Sequence, residues 1–281
     1  MKRGLLTLIP FLSLLQPVSF GAEEFFAGKG VRVRLLCEAS TIASGDSFVV
    51  ALELSHEAGF HTYWQNPGTV GVPTQVTWEL PEGFQAGQLV WQPPERSKMF
   101  EYDVYGYEKN ATLLTEIRSP AKLDAEPILL RAKVSWMACN DSSCNPGYHT
   151  FELRLPVGKR TVWNPKVKQL VRDAKARIPT PLPSLLTSAE AEGREVRLRI
   201  EGKIFESLQD APGLHFFSTL NHYKIDARQK TRIKRGALLI TLTKTDYAPD
   251  KIDQVEGILR LPANGLERGK HTNVLIKAKL E

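Results

Sequence analysis

The chain has 281 residues, of which 42% are hydrophobic and 24% are charged; this excludes whole-chain disorder, collagen and coiled coil and predicts one large or two modest domains. The formal net charge of +6 comes from 37 basic and 31 acidic residues and is too small and too dispersed for a nucleic-acid-binding surface. Three cysteines are too few for a fold that disulfides hold together.

The N-terminus has the three-part pattern of a secretory signal peptide. Lys2 and Arg3 are followed by an apolar run over residues 4–15 and then by the small residues Gly21 and Ala22. The run is too short to span a hydrocarbon layer of ~30 Å, and no later segment approaches 18 continuous apolar residues, so we expect no stable membrane insertion. The sequence therefore predicts a cleaved signal peptide over residues 1–22 and a periplasmic protein, in a compartment where disulfides persist.

The first predicted unit, residues 23–158, is rich in short strand patterns separated by turn signals. Alternation is clearest in VRVRLLC, where Val31, Val33, Leu35 and Cys37 share one face. Without intervening helices, such a series is typical of a β-sandwich. The predicted strands are residues 31–37, 48–54, 75–80, 88–91, 112–117, 128–136 and 148–155.

Residues 159–194 are predicted to form a helix and a Pro-rich linker. Asn164 is a suitable N-cap, with Pro165 at the first helical position. Apolar residues then recur at helical spacing, and the helix should end before Pro179. The basic residues between them are interpreted as a solvated face rather than a lipid contact.

A second, smaller β domain is predicted over residues 195–281. Its strand patterns are residues 196–200, 214–217, 236–243, 257–261 and 273–280. The predicted fold class is therefore all-β, with a sandwich, a short helical and Pro-rich linker, and a second β domain.

Residues 135–146, SWMACNDSSCNP, contain the two cysteines that we consider the candidate functional residues. Cys139 and Cys144 are five positions apart at a turn between two predicted strands, so they can close a small disulfide loop. So short a loop removes little chain entropy, and its spacing suits reversible redox work, but a passive hairpin disulfide remains open. Cys37, on the apolar face of a strand, is interpreted as a buried and inert thiol.

A metal site that includes the two cysteines is an alternative hypothesis. Cys139, Cys144 and His149, with His61 as a fourth, would be ligands for copper or zinc, but their spacing matches no tight zinc signature. We therefore predict no metal and no cofactor. The sequence also has no nucleophile elbow, P-loop, dinucleotide-binding or HExxH motif.

Three stretches resemble, in order and spacing, the N-terminal periplasmic domain of DsbD-type thiol:disulfide interchange proteins, including their copper-tolerance-associated relatives. They are GFHTYWQNPG at residues 59–68 with GVPT at 71–74, WQPPER at 91–96 leading to YGYE at 105–108, and the cysteine segment closed by LRLPV at 153–157. The resemblance implies an immunoglobulin-like sandwich whose paired cysteines shuttle electrons. It also implies that Cys144 is the attacking thiol and that Cys139 resolves the mixed disulfide.

The same resemblance assigns residues that shield or tune the pair. Tyr63 falls where the family places an aromatic beside the cysteines, and Tyr102, Asp103, Val104 and Tyr105 fall in the loop that caps them. Val104 takes the place of an aromatic at the tip of that cap, which predicts looser shielding. A carboxylate near the pair, Asp103 or Glu108, either raises the pKa of a thiol and restrains premature attack or is a solvated loop charge, and the sequence leaves both interpretations open.

The function predicted from these residues is a periplasmic thiol-disulfide exchange protein that relays electrons through the Cys139–Cys144 pair to exported clients, serving disulfide isomerisation or cytochrome c biogenesis. The chain has no C-x-x-C, so such an oxidoreductase needs a separate donor, either a thioredoxin-like C-x-x-C protein or a membrane electron conduit. Two alternatives stay open. One is a non-catalytic binding module with a structural disulfide, and the other is a copper-handling protein.

Overall fold

The computed structural model describes residues 23–206, 208, 213–262 and 273–280, and the predicted signal peptide lies outside them. Within these residues the chain is built almost entirely from strands. The first thirteen are β1 Glu23–Gly28, β2 Val31–Cys37, β3 Ala39–Thr41, β4 Ser47–His56, β5 Thr62–Gly68, β6 Gln75–Glu79, β7 Gln85–Ala86, β8 Glu95–Met99, β9 Tyr102–Tyr107, β10 Ala111–Arg118, β11 Ile128–Cys139, β12 Cys144–Leu155 and β13 Val162–Trp163.

Helix α1, Pro165–Lys175, follows β13 and precedes the remaining strands. These are β14 Leu186–Glu192, β15 Glu195–Glu201, β16 His215–Ser218, β17 Lys230–Lys234, β18 Ala237–Thr243, β19 Gln254–Arg260 and β20 Asn273–Lys279, with one 3-10 turn at Lys203–Phe205.

The first sandwich is formed by two antiparallel sheets, ordered β1-β2-β4-β10-β7 and β12-β11-β6. Alternation along the strands builds its core, because successive side chains point to opposite faces. In β2, Val31, Val33 and Leu35 are almost fully buried, while Arg32 between them is exposed. The all-β, immunoglobulin-like class predicted from the sequence is confirmed.

Helix α1 covers the outer face of the larger sheet. The Asn164 side chain accepts hydrogen bonds from the first-turn amides of Lys166 and Val167, as the predicted N-cap requires. Val167 and Val171 then bury one helical stripe in a cluster with residues of β2, β4 and β10. The helix ends at Lys175, before Pro179, as predicted.

The second β unit pairs a sheet ordered β14-β15-β18-β17 with one ordered β16-β19-β20. Alternate residues of β15 and β18, such as Leu198 and Ile240, form its core with residues of β19 and β20. Strand β14 lies inside the segment predicted as linker, yet it pairs with β15 along its whole length.

The prediction of a strand over residues 88–91 is wrong. Val90 makes only a single bridge to Leu114, and Pro93 and Pro94 follow. Because proline has no amide hydrogen, the ladder cannot continue through them.

A third small sheet of the first unit, ordered β5-β9-β8, contacts the second unit. The Asn66 side-chain amide donates to the carbonyl oxygens of Ser218 (2.8 Å) and Leu220 (3.1 Å), and the Tyr105 hydroxyl lies 2.7 Å from Nε2 of His215. Phe217 packs in the same core cluster as the first sandwich. The two units therefore meet at the sheet that also flanks the cysteine pair.

Candidate functional site

Strands β11 and β12, each 12 residues long, form a hairpin that places Cys139 opposite Cys144. The Asn140 side chain organises the loop between them. Its Oδ1 accepts hydrogen bonds from the amides of Ser142 (3.0 Å) and Ser143 (2.8 Å). Because this asparagine satisfies loop amides in the manner of an Asx turn, the local sequence itself holds the two cysteines together.

The two cysteines form a disulfide, with their Cα atoms 4.1 Å apart. Their surroundings differ sharply. Cys139 is fully buried, whereas Cys144 is exposed. An incoming thiol can therefore reach only the sulfur of Cys144 without moving the protein.

Tyr63 and Val104 cover the buried sulfur. Both are almost fully buried and cluster with Cys139. The Tyr63 hydroxyl donates a hydrogen bond to Cys139 Sγ at 3.1 Å and lies 4.0 Å from Cys144 Sγ. Burial raises the pKa of Tyr63 to about 12, so the phenol keeps its proton at neutral pH and remains a donor.

The position of Tyr63 depends on a glycine. The Tyr63 ring packs directly on the backbone of Gly71, where a Cβ would lie 2.3 Å from it. Gly71 also has a φ of +103°, which side chains other than glycine rarely adopt. The GVPT stretch after β5 therefore supports the tyrosine that contacts the disulfide.

Met99 borders the exposed sulfur and was missed by the sequence reasoning. Its Sδ lies 3.6 Å from Cys144 Sγ, at the end of the β8–β9 hairpin. Phe100, at the tip of that hairpin, has a φ of +52° and an exposed fraction of 52%. The apolar residues in KMFEYDVYGY were the available signal, but only the pairing of β8 with β9 brings Met99 to the cysteines.

The other residues predicted to shield or tune the pair lie on or just after β9, and their side chains have different neighbours. Val104 faces the disulfide, while Asp103 pairs with Lys98 at 2.9 Å and Tyr105 packs against the second unit. Glu108 accepts a hydrogen bond from Ser97 Oγ at 2.6 Å. The segment predicted as a capping loop is strand β9 of the β8–β9 hairpin, and among the predicted shielding residues Tyr63 and Val104 cluster with Cys139.

The histidines considered as metal ligands are separated. His149 stacks on Phe26 and lies 3.2 Å from a carboxylate oxygen of Glu24. Across the described ranges, no three His, Cys, Asp or Glu side chains are grouped so that they could hold a metal ion.

Cys37 is a free thiol in the core of the first sandwich. Burial raises its pKa to about 12, which keeps it protonated. The predicted burial of this cysteine is confirmed.

Residues 32–157 match the family described as thiol:disulfide interchange protein DsbD, N-terminal. These residues form a DsbD-type N-terminal domain. The solved N-terminal periplasmic domain of ScsB from Proteus mirabilis aligns with a TM-score of 0.65 at 16% identity, covering 92% of this chain and 98% of that chain. This likeness extends the shared fold beyond the DsbD-type domain into the second β unit.

The N-terminal domain of DsbD from Neisseria meningitidis, solved in the reduced form, aligns at 16% identity over 48% of this chain and 90% of that chain. Its TM-score of 0.28 is too low to bear on the fold. A search of curated protein sequences finds no match. Among the described residues, no helix has the length and apolar character needed to cross a membrane.

Proposed function

We propose that this protein is a periplasmic thiol-disulfide exchange protein, with a cleaved signal peptide over residues 1–22, that passes electrons through Cys139 and Cys144 to exported clients. Membership of residues 32–157 in a thiol:disulfide interchange family supports this role. The observation that carries it is the unequal exposure of the two sulfurs, because a relay needs one sulfur that a partner reaches and one that resolves.

The reaction follows from this asymmetry. In the reduced pair, the Cys144 thiolate attacks a client disulfide, forms an S–S bond to one client sulfur and releases the other as a thiolate. Cys139 then attacks Cys144 Sγ, closes the Cys139–Cys144 bond and releases the second client sulfur. Two electrons pass from the pair to the client, which is reduced while the pair is oxidised.

The reduced pair is regenerated by a dithiol donor, a thioredoxin-like C-x-x-C protein or a membrane electron conduit. The first donor thiolate attacks Cys144 Sγ, breaks the Cys139–Cys144 bond and releases Cys139 as a thiolate, which the Tyr63 hydroxyl stabilises by a hydrogen bond. The second donor thiol then attacks the donor sulfur of this mixed disulfide, releases Cys144 and leaves the donor oxidised to a disulfide. Tyr63 and Val104 shield Cys139 directly. Asp103 and Tyr105 act through the position of β9, and Glu108 acts through the cleft beside the pair.

The domain organisation that we propose assigns this chemistry to residues 23–158. Residues 159–194 then connect to a second β domain, residues 195–281, and contribute strand β14 to its sheet; we propose that this second domain holds the site in place. The contacts of Asn66 and Tyr105 with the second unit support this division of roles.

A redox titration of the Cys139–Cys144 pair in thiol–disulfide buffers tests the proposal. We expect a reduction potential well above about −300 mV, the upper limit typical of structural disulfides. A potential below that limit would show that the bond is a structural staple and would exclude the relay.

Trapping with variants that each lose one cysteine of the pair identifies the attacking sulfur. Cys139→Ala should accumulate a mixed disulfide with a thioredoxin-like protein that has lost its second active-site cysteine. The matched variant Cys144→Ala keeps only the buried thiols of Cys37 and Cys139 and should trap nothing on a non-reducing gel. Equal trapping by both variants would contradict the assignment of Cys144 as the exchanging sulfur.

A further inference from the structure

His61 lies directly opposite Cys139 on the neighbouring strand. The two residues exchange both backbone hydrogen bonds, at 2.8 Å and 3.0 Å, as an isolated antiparallel bridge. Residues opposed in this way carry their side chains on the same face, with Cβ atoms roughly 4.5–5.5 Å apart. The imidazole of His61 therefore lies beside the Cys139 side chain, on the face of β5 that also carries Tyr63.

The Tyr63 side chain contacts both His61 and Cys139. Its ring is edge-on to the His61 ring at 5.1 Å, while its hydroxyl donates to Cys139 Sγ. The imidazole, the phenol and the buried sulfur thus form one cluster, and Cys144 closes it on the exposed side.

His61 is 97% buried, since its exposed fraction is 3%, and its Nε2 makes no hydrogen bond within the part of the chain that the structure describes. A buried ring nitrogen without a partner is costly and calls for a functional reason. A disulfide carries no proton to donate. Reduction creates an S–H donor on Cys139, on the strand face that also carries the His61 ring.

We propose that His61 is the base that takes the proton from the Cys139 thiol when Cys139 resolves the mixed disulfide. The proposal rests on the exchange function proposed above. In the step, the Cys139 proton moves to Nε2, the resulting thiolate attacks Cys144 Sγ, the S–S bond between Cys144 and the client breaks, and the client sulfur leaves as a thiolate. The proton on the imidazolium is then lost to that thiolate or to water.

The environment of His61 favours this proton transfer. Burial lowers the pKa of His61, so the imidazole is neutral and able to accept a proton at neutral pH, while Glu108 and Asp141 oppose that shift and favour the imidazolium once it forms. An open cleft of about 690 Å³ borders the ring and gives the proton a way out. Besides those two carboxylates and His61, its charged lining groups are Arg96, Lys98, Asp103 and Lys109.

His56 provides a matched control. It is also a histidine whose pKa is lowered by burial, in this case to about 4. Both of its ring nitrogens have partners, the Lys109 carbonyl at 3.0 Å and Thr62 Oγ1 at 2.9 Å. It therefore has a structural role and no nitrogen left for a thiol proton.

The test uses the reduced full chain and a chromogenic aryl disulfide, dithiobis-nitrobenzoate. The first release of the coloured thiolate reports attack by Cys144, and the second reports resolution by Cys139. In His61→Gln we expect the second phase to slow by about a hundredfold at neutral pH, with the first phase unchanged. In wild type the second rate should be nearly flat with pH, whereas in His61→Gln its logarithm should rise by about one per pH unit as the thiol ionises without a base.

His56→Gln should keep the wild-type profile. Identical pH profiles for wild type and His61→Gln, or equal changes in both variants, would overturn the role of His61 while leaving the exchange function intact. If the wild type releases only one equivalent of coloured thiolate, Cys139 does not resolve, and both proposals are wrong.

A measurement on the unmodified chain covers the case in which His61→Gln does not fold. The ¹⁵N resonance of His61 Nε2 should shift when the pair is reduced, because the nitrogen gains a hydrogen-bond donor, while the ring resonances of His56 should stay in place. An unchanged His61 resonance would contradict the proposal.

Discussion

The sheet β5-β9-β8 has different neighbours on its two faces. One face covers the disulfide through Tyr63 and Val104, and the Tyr63 hydroxyl donates a hydrogen bond to Cys139 Sγ. On the other face, Tyr105 contacts His215 by a hydrogen bond and Phe217 by an edge-to-face ring contact at 4.8 Å. The sheet that covers the disulfide therefore also contacts the second unit, so a change in the second unit can alter the position of that cover.

The strongest way to break this link is Phe217→Ala. Phe217 is 1% exposed, and truncating a buried phenylalanine costs about 3–5 kcal/mol in the free energy of unfolding. We also expect faster amide hydrogen exchange in β9 and faster reduction of the disulfide by small thiols, because β9 loses its support.

Phe205→Ala is the control for that variant. Phe205 is equally buried, but it packs in the core of the second unit away from β9. A similar loss of unfolding free energy without faster disulfide reduction would locate the effect at the face with Tyr105. Equal acceleration in both variants would contradict the link.

Low pH should destabilise the contact between Tyr105 and His215, because it protonates His215. Its pKa is lowered to about 3, chiefly by burial and then by Arg96 and Arg260, whereas the unfolded chain takes up this proton near pH 6.5. The neutral form of His215 therefore contributes its full stabilisation of the folded state above about pH 6.5, and this contribution is lost as the pH falls towards 3. We expect wild type to lose roughly 2 kcal/mol more unfolding free energy than His215→Gln between about pH 6.5 and about pH 4, after allowance for partial solvent screening.

Chemical denaturation of both proteins across that pH range measures the difference. His56, with a pKa lowered to about 4, contributes in both proteins and cancels. Parallel stability curves for wild type and His215→Gln would rule out this histidine as an acid-sensitive contact.

Tyr63→Phe should change the chemistry on the disulfide face. Removing the hydroxyl takes away the hydrogen bond that stabilises the departing Cys139 thiolate. We expect reduction of the disulfide by dithiothreitol to slow by about tenfold, equivalent to about 1.4 kcal/mol in the activation free energy. Tyr107→Phe, whose hydroxyl donates to the carbonyl of Gln92, should leave that rate unchanged.

Tyr105→Phe should have the smallest effect, and, unlike Tyr63→Phe, it should change the stability of the protein and not the rate of disulfide reduction. It removes the hydrogen bond with His215 but keeps the ring on Phe217, so the free energy of unfolding should fall by about 1 kcal/mol. The rate of disulfide reduction should stay close to wild type. A rate change as large as that of Tyr63→Phe would show that the two faces are not functionally distinct.

Local patterns in the sequence predicted much of the fold. Alternation placed β2 and β15, a preceding turn signal placed β4, and capping chemistry placed the start of α1 at Asn164 and Pro165. The same patterns missed β5, β8 and β9. In β5 nearly every residue is buried on both faces, so no alternation marks it, and β8 has few apolar residues.

The sequence by itself determined the cysteine pair, because a loop of four residues with Asn140 at its start closes locally. The resemblance implied that Cys144 is the attacking thiol, but residue patterns did not show that Cys139 is buried and Cys144 exposed, or that Met99 borders the pair. Tyr63 and Cys139 are 76 positions apart, and Tyr105 and His215 are 110 apart. Such neighbours depend on how strands pair and how the two units pack, which only the tertiary structure decides, because strand pairing joins residues far apart in the chain.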